Sequence, residues 1–281
     1  MNRMRLAVPN KGRLMEPTLE LLRKAGLAFE RTERSLTVPV RNVPIDLLFV
    51  RTDDVVEMVA DGVAETGIAG LDLLAESGLD LEVVTELGYG RCRLAAAVPK
   101  DSEIGALEDL GGLRVATAHP RVTRRILADK GIEVQIVQLR GSVELAPKLG
   151  VAEAIVDLVS SGSTLLVNGL RPVATLLDSQ AILVRRPGVD GAVDQVATML
   201  RAVTAGRRRR YVMMNARRDA VERLESLIPG LEAPSVVPLA HDGMVAIHSV
   251  IDADDLWHVL PELEAAGATG ILVLPIEQLI P

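Results

Sequence analysis

Residues 155–170 read IVDLVSSGSTLLVNGL, a short stretch that changes character twice. The first apolar run predicts a buried strand with the carboxylate of Asp157 near its end, and the apolar residues after the turn have helical spacing. Between the two stand Ser160, Ser161, Gly162, Ser163 and Thr164. Backbone N–H groups at the start of a helix attract anions, and glycine lets a ligand approach the backbone closely. The stretch therefore fits a phosphate cradle, and it also fits an ordinary helix capped by Ser or Thr.

Strand-like and helix-like segments alternate on both sides of this stretch. Such alternation predicts an α/β fold with a largely parallel sheet that is covered on both faces. The pattern restarts after Tyr89, so we expect two lobes. Residues 1–90 with 187–210 would form the first lobe, and residues 91–186 would form the second.

The chain is expected to cross between the lobes near residues 88–93 and again near 185–190, which leaves a cleft between them. This is the plan of a two-lobed, periplasmic-binding-protein-like fold, and ligands sit in such clefts. Within the second lobe the spacing predicts a helix over 143–150 and one long strand over 171–186.

Residues 211–281 follow a different order, which reads strand, helix, two strands, helix and strand. This β-α-β-β-α-β order is typical of a ferredoxin-like domain. Small domains of this kind often pair through their sheets and bind small ligands, which is an analogy from the fold alone. We therefore predict a two-lobed domain over residues 1–210 and a ferredoxin-like domain over 211–281.

Composition narrows the class of protein. The chain has 281 residues, of which 48% are hydrophobic and 25% charged, as expected for about two globular domains. A net charge of −7 with only 2% aromatic residues disfavours a nucleic-acid partner. Cys92 is the single cysteine, and no apolar run reaches the roughly 18 residues of a membrane span. We expect no membrane association and a cytoplasmic location.

A second polar cluster is PNKGRL at residues 9–14, where Lys11 and Arg13 flank Gly12 directly after the first predicted strand. Residues at the carboxyl end of a parallel strand face the ligand crevice. Two cations around a glycine suit a polyphosphate, although a basic turn in solvent would look the same.

Two further clusters carry carboxylates. In ETGIAGLDLLAESG, residues 65–78, Asp72 and Glu76 share one helical face. In RGSVELAPKLG, residues 140–150, Glu144 stands near the start of a predicted helix that Ser142 could cap. Each pattern alone also fits a structural role, namely tight packing or helix capping.

The four clusters in this order resemble one family. The stretches LAVPNKGRL, GIAGLDLLAESG, GSVELAPKLGVAEAIVDLVSSGSTLLVNGL and GATGILVLPIEQLI together are similar to ATP phosphoribosyltransferase, the first enzyme of histidine biosynthesis. The resemblance covers essentially the whole chain, and its C-terminal part is similar to the long form, which carries a regulatory domain.

The resemblance implies a reaction and its site. Adenine N1 of ATP would attack C1 of 5-phosphoribosyl pyrophosphate (PRPP), pyrophosphate would leave, and Mg²⁺ would neutralise the leaving group. No strong general base is needed, because N1 already carries a lone pair. The residues implied for PRPP are Glu153, Asp157, Ser160, Ser161, Gly162, Ser163 and Thr164. Those implied for ATP or pyrophosphate are Lys11, Gly12, Arg13, Arg51, Asp72 and Glu144.

The resemblance also implies feedback inhibition by L-histidine and assembly into dimers and hexamers. The residues implied for the histidine pocket are Asn215, Leu231, Ser235 and Ala268. The chain departs from the family pattern at Ser161, where a threonine is common, and at His119, where we expect a tyrosine.

Three other interpretations remain at this point. A two-lobed α/β chain could be a binding protein, a phosphoribosyltransferase with another acceptor, or a regulatory homologue without activity. The cationic and hydroxyl clusters favour phosphorylated substrates, and the terminal ferredoxin-like domain favours a regulated entry step.

Overall fold

The computed structural model describes residues 3–32, 35–228 and 230–280. The strands are β1 (Met4–Pro9), β2 (Thr37–Pro39), β3 (Ile45–Val50), β4 (Thr66–Gly70), β5 (Glu82–Glu86), β6 (Cys92–Pro99), β7 (Arg114–Thr117), β8 (Gln135–Gln138), β9 (Ala154–Val159), β10 (Leu170–Ser179), β11 (Ala181–Arg185), β12 (Arg209–Arg217), β13 (Ser235–Pro238), β14 (Met244–Asp252) and β15 (Thr269–Pro275). The helices are α1 (Met15–Lys24), α2 (Val55–Ala60), α3 (Leu71–Ser77), α4 (Pro120–Asp129), α5 (Ser163–Val167), α6 (Ala192–Arg207), α7 (Val221–Leu227) and α8 (Leu256–Ala265).

The first lobe is built on a sheet with the order β2-β3-β1-β4-β11-β5. Strand β1 pairs in parallel with β3 and β4, whereas β2, β11 and β5 run antiparallel to their neighbours. Ala7, Val55, Val59 and Ile182 are fully buried together, so helix α2 covers this sheet through its valines. Burial of each such aliphatic side chain stabilises the fold by roughly 1.5–3 kcal/mol.

The second lobe is built on a sheet with the order β10-β6-β9-β7-β8. Strands β7, β8 and β9 are parallel, and β6 and β10 are antiparallel to the strands beside them. The residues of β6 alternate between two buried clusters: Leu94 and Ala96 face one, and Ala95 and Ala97 face the other. The two sheets are therefore mixed, and the prediction of a largely parallel sheet was wrong for their outer strands.

The second crossing between the lobes lies earlier than predicted. Residues 171–186 are not one strand, because β10 belongs to the second sheet and β11 to the first. The crossing is therefore at Gln180, not at 185–190, and β11 is part of the first lobe. Next to it, Leu87 donates a backbone hydrogen bond to Ala181 at 2.9 Å, and Ala181 donates one to Tyr89 at 2.9 Å. The two crossing segments run side by side.

Two smaller features also differ from the prediction. Strand β5 was not predicted, because its sequence EVVTE has little apolar character. Residues 143–150 form no α-helix, and only Val143–Leu145 turn once as a 3-10 helix. Ser142 does not cap this turn. It adopts a left-handed conformation with φ 52°, which costs an L-residue about 1 kcal/mol.

The chain divides into two compact units: the first ends at Ala197, and the second begins at Thr198 and also includes Lys24–Gly26. The sequence predicted a boundary at residue 210. Helix α6 is continuous across 197–198, so no break in the pattern marks the division. Within the second unit, Leu279 donates a backbone hydrogen bond to Ala202 at 2.8 Å, which assigns the end of α6 to this unit.

The second unit has the strand order β13-β14-β12-β15. Each pair is antiparallel, and α7 and α8 contribute Leu224 and Leu263 to the core on one face. This is the ferredoxin-like arrangement that the β-α-β-β-α-β order predicted. In the part of the chain that is described, no helix is both long and apolar enough to cross a membrane.

Candidate active site

A cleft of about 1100 Å³ opens between the two lobes of the first unit. The first lobe contributes residues of the β1–α1 loop, the β3–α2 segment and α3, and the second lobe contributes the ends of β7, β8 and β9. The charged residues that line the cleft are Arg13, Arg51, Asp53, Glu57, Asp72, Glu76, His119, Arg121 and Arg140. Arginines enter from both lobes and can bind an anionic ligand, and four carboxylates line the same cleft.

Asp72 is the buried acid of this cleft, with a side chain only 4% exposed. Its carboxylate accepts a hydrogen bond from the Ser179 hydroxyl at 2.5 Å. Arg13 Nη2 lies 4.0 Å from one carboxylate oxygen, and His119 Nε2 lies 3.9 Å from the other. Asp72 thus stands between a cation of the first lobe and an imidazole of the second.

The end of strand β4 determines where this acid lies. The strand is buried throughout its length and ends at Gly70. A Cβ at Gly70 would collide with Asp72 Oδ1, so a glycine is needed for the carboxylate to fold back over the strand end. The Asp72 backbone N–H donates to Ser179 Oγ at 3.0 Å, which ties the start of α3 to the end of β10.

A smaller cavity of about 300 Å³ adjoins the cleft, and Leu158 lines both. Its lining residues are Glu144, Asp157, Leu158, Val159, Ser160, Ser161, Gly162, Thr164 and Leu165. The structure therefore brings Asp157 and Glu144 together with most of the hydroxyl-rich loop. The left-handed Ser142 precedes the turn that carries Glu144 to this cavity.

Asp157 is partly desolvated, and burial raises the pKa of its carboxyl. The hydrogen bond from the Leu158 backbone N–H, at 2.8 Å, and the nearby His119 oppose this increase in the pKa, whereas the charge of Glu144 adds to it. A carboxylate held in this way is available to a polar or cationic partner.

The loop after Asp157 has the geometry that its sequence predicts only in part. Gly162 adopts a left-handed conformation with φ 81°, and the hydroxyls of Ser161 and Ser163 are 2.9 Å apart. Ser163 donates its backbone N–H to Ser161 Oγ at 3.4 Å. Helix α5 is short, Ser163–Val167, because β10 begins at Leu170.

Glu153 is not part of this cavity. It stands before β9, four residues from Asp157 and therefore about 13 Å away along the strand. Its carboxylate forms an ion pair with the side chain of Arg114 and accepts the Arg114 backbone N–H at 2.8 Å. The hydrogen bond from the Arg114 guanidinium is the main reason why the pKa of Glu153 is lowered. The alternation of the sequence places Glu153 on the same strand face as Asp157. The distance along the strand nevertheless keeps Glu153 away from the cavity that Asp157 lines.

The β1–α1 loop reaches the cleft with some of its predicted residues. Gly12 and Arg13 line it, and the Arg13 guanidinium also donates to Cys92 Sγ at 3.0 Å. Lys11 is exposed and does not line the cleft, although Thr52 Oγ1 donates to its carbonyl at 3.5 Å. Arg51, just after β3, lines the cleft as predicted from its place at a strand end.

Two arginines that the second lobe contributes to the cleft were not predicted from the sequence. Arg121 is the second residue of α4 and Arg140 follows β8, and both line the cleft. Arg140 could have been found, because a residue just after a parallel strand faces the same edge as Asp157. Arg121 gave no comparable signal, since the helical pattern does not show which end of α4 faces the first lobe.

The donors in these cavities fit a magnesium ion that arrives with a phosphate ligand. Among residues 3–32, 35–228 and 230–280, no group of three or more His, Cys, Asp or Glu side chains is arranged to hold a metal by itself. Mg²⁺ commonly keeps several waters and binds through one or two carboxylates together with substrate phosphates. Asp157 and Glu144 are the carboxylates that face the smaller cavity.

The residues implied for histidine lie in the second unit and differ in their exposure. Asn215 is exposed on β12, and Ser235 is exposed at the start of β13. Leu231 is 50% exposed in the loop before β13. Ala268 was expected to line the pocket, but its side chain is buried in the core of the unit. Its neighbour Thr269 pairs with Asn215 in the sheet.

Comparison with known proteins gives a consistent result. Residues 51–204 match the sequence model of the family HisG, ATP phosphoribosyltransferase, and residues 206–278 match that of the HisG C-terminal domain. The chain is 39% identical over 281 residues to an ATP phosphoribosyltransferase of Bacteroides fragilis, an alignment that covers 99% of each chain. It is 43% identical to that of Natronomonas pharaonis, with 99% of this chain and 100% of the relative covered.

A solved structure agrees with these relatives. The ATP phosphoribosyl transferase (HisG:HisZ) complex from Thermotoga maritima contains a chain that matches with a TM-score of 0.59 and 32% identity over 70% of this chain and 98% of that chain. The family matches extend over most of the sequence and include the lining of the smaller cavity and the lining of the cleft from Arg51 onwards. The chain therefore belongs to the ATP phosphoribosyltransferase family of histidine biosynthesis, in the long form that carries a C-terminal domain.

Proposed function

We propose that this enzyme transfers the 5-phosphoribosyl group of PRPP to N1 of the adenine of ATP and releases pyrophosphate. The observation that carries the proposal is the junction at Leu158 between a hydroxyl-lined cavity and a larger cleft lined by arginines. The smaller cavity suits the ribose 5-phosphate, and the larger cleft suits a nucleotide triphosphate. The junction is then the place where the adenine meets C1 of the ribose.

The side chains at the junction have roles that follow from charge. The loop from Ser160 to Thr164 offers backbone N–H groups and hydroxyls to the 5-phosphate. Asp157 and Glu144 accept hydrogen bonds from the ribose hydroxyls, and their negative charge stabilises positive charge that develops at C1. Arg13 and Arg51 hold the phosphates of ATP or of the leaving pyrophosphate. The rate enhancement then rests on positioning and on fixed charge.

Magnesium belongs to the substrate side of this proposal. When it is bound to the diphosphate, it neutralises the negative charge that gathers on the leaving group. Asp157 and Glu144 would accept hydrogen bonds from its waters. Lys11, at the exposed end of the β1–α1 loop, is proposed to contact the same phosphates once they are bound.

The Gly162→Ala variant tests the phosphate cradle. A left-handed φ of 81° is unfavourable for alanine by about 1 kcal/mol, so the loop should abandon the conformation that presents its N–H groups. We expect the affinity for PRPP, measured by calorimetry, to fall about tenfold or more. Gly150→Ala is the matched control, because Gly150 also has a positive φ of 68° in open space but lines neither cavity. Equal PRPP affinities of the two variants would contradict the assignment of the cradle.

We also propose that L-histidine inhibits the enzyme through the second unit, in an assembly of dimers and hexamers. Inhibition requires that histidine bind the inactive arrangement more tightly than the active one. The exposed positions Asn215, Ser235 and Leu231 support this proposal, since they are open to a ligand or a second copy. A cytoplasmic location completes the proposal and agrees with the single cysteine.

The Asn215→Ala variant tests the histidine site. The loss of a hydrogen bond to a charged amino acid should raise the half-inhibitory concentration of histidine about tenfold or more. Activity without histidine should stay near that of the unmodified enzyme. Arg217→Ala is the control, because Arg217 is exposed two residues further along β12. A parallel shift in both variants, or a shift in neither, would place the sensor elsewhere.

A further inference from the structure

The last turn of α3 joins the first lobe to the second through three successive residues. Ala75 packs against the apolar core of the second lobe. The Glu76 carboxylate accepts backbone hydrogen bonds from Arg121 at 3.1 Å and from Val122 at 2.9 Å. The carbonyl of Ser77 accepts a third from the Arg121 guanidinium at 2.8 Å.

Helix α4, which receives these contacts, has no cap from its own segment. His119 occupies the N-cap position but makes no capping bond with its side chain, and Pro120 has no N–H. The N–H groups of Arg121 and Val122 are the ones that an N-cap side chain ordinarily satisfies. A carboxylate of the other lobe satisfies both, and its negative charge lies at the positive end of the helix dipole.

We propose that Glu76 is a positioning residue that latches the two lobes in the closed arrangement needed for the transferase reaction. The capping bonds exist only while α3 and α4 are as close as they are here. An open arrangement would return two helix N–H groups and one carboxylate to water. We call the Glu76 carboxylate with its two hydrogen bonds from Arg121 and Val122 the latch. It therefore shifts the equilibrium between open and closed lobes towards closure before substrates bind.

The latch controls the reactive part of the cleft because each of its ends adjoins a cleft residue. Asp72 lies one helical turn before Glu76, and His119 directly precedes α4. The side chains of Asp72 and His119 approach to 3.9 Å across the lobes. Fixing α4 against α3 therefore fixes this pair, which lines the cleft where the proposed function brings the nucleotide to PRPP.

The distance between the lobes can be measured without any substrate. Nitroxide labels at Asp61→Cys and Asp129→Cys mark one exposed position on each lobe, and the buried Cys92 stays unlabelled. With Glu76 present, electron-electron double resonance should give one narrow distance distribution. The Glu76→Ala variant should give a broader distribution shifted to longer distances. Glu76→Gln should lie between them, because its amide oxygen can still accept a hydrogen bond.

The kinetic consequence separates a latch from a merely structural residue. Loss of a helix cap should lower the closed fraction and raise KM for both substrates about 5- to 30-fold in Glu76→Ala. The kcat at saturation should change less than about threefold, because bound substrates restore closure. Asp80→Ala, which removes an exposed carboxylate beyond the end of α3, is the control.

An unchanged distance distribution in both Glu76 variants would overturn the proposal, whatever their kinetics. Wider distributions with unchanged KM values would overturn it as well, because closure would then not limit binding. A failure of the proposed substrate roles would appear differently, as absence of transfer in the protein with Glu76 intact and a normal distance distribution.

Discussion

Replacing Asp157 by Asn is expected to lower kcat/KM for PRPP about 100-fold or more while the protein becomes more stable at neutral pH. The loss of activity follows because asparagine keeps the hydrogen bond from Leu158 but carries no negative charge towards the ribose. The gain in stability follows because burial raises the pKa of the Asp157 carboxyl in the folded protein. The ionised form of Asp157 is therefore less favourable in the folded state than in the unfolded chain.

The pH dependence has a definite sign. Between the unfolded and folded pKa values of Asp157, the folded state binds more protons, so the free energy of unfolding falls as the pH rises. Above the folded pKa the full penalty is present. The Asp157→Asn substitution should thus give a larger gain in melting temperature at neutral pH than at acid pH. The gain should disappear as the pH falls below the ordinary aspartate value of about 3.9.

Thermal melts at several pH values, with steady-state kinetics at neutral pH, measure both effects. Asp178→Asn is the control, because Asp178 is exposed on β10 and lines neither cavity. It should change neither property. A destabilised Asp157→Asn variant would contradict the assigned desolvation, and a fully active one would remove Asp157 from the site.

Replacing Asp72 by Ala is expected to abolish most activity and to destabilise the first unit by about 2–3 kcal/mol. The change leaves the Ser179 hydroxyl without its acceptor, and it removes the carboxylate that faces the Arg13 guanidinium and the His119 imidazole. Arg13 should then turn away from the cleft, which weakens the binding of phosphates. Denaturant unfolding gives the loss of stability, and nucleotide titration gives the loss of affinity.

Two variants separate the parts of this effect. Ser179→Ala keeps the carboxylate but removes two hydrogen bonds, the one to the Asp72 carboxylate and the one from the Asp72 backbone N–H, and should cost about 1–2 kcal/mol with little change in nucleotide affinity. Asp72→Asn keeps an acceptor for Ser179 and should therefore retain stability but lose affinity. If the Asp72→Ala variant were as stable as the Ser179→Ala variant, or more stable, the contacts of the Asp72 carboxylate with Arg13 and His119 would add nothing to stability.

Much of this architecture could be predicted from local pattern. The strand before the hydroxyl-rich loop, the restart after Tyr89 and the β-α-β-β-α-β order of the tail all appear in the structure. They were predictable because burial imposes a period on the residues of each element. Arg13, Asp72, Asp157 and Glu144 reach the cavities because strand ends in such sheets share one edge.

Other features could not be predicted, because they depend on residues that are distant along the chain or on position along a strand. Nothing local shows that residues 171–186 divide between two sheets, because both halves are apolar and the division depends on the partner strands. Glu153 has the right alternation but the wrong end of the strand. The cap on α4 comes from Glu76, 44 residues before Pro120, so no inspection of the α4 segment could reveal it.

The central claim is the transfer of a phosphoribosyl group from PRPP to ATP, and one measurement tests it most directly. The protein is mixed with ATP, PRPP, Mg²⁺ and a pyrophosphatase, and phosphoribosyl-ATP is followed in the ultraviolet and identified by mass. We expect product that requires both substrates and that is suppressed when L-histidine is added. Absence of product in a folded protein that still binds PRPP by calorimetry would contradict the proposed reaction.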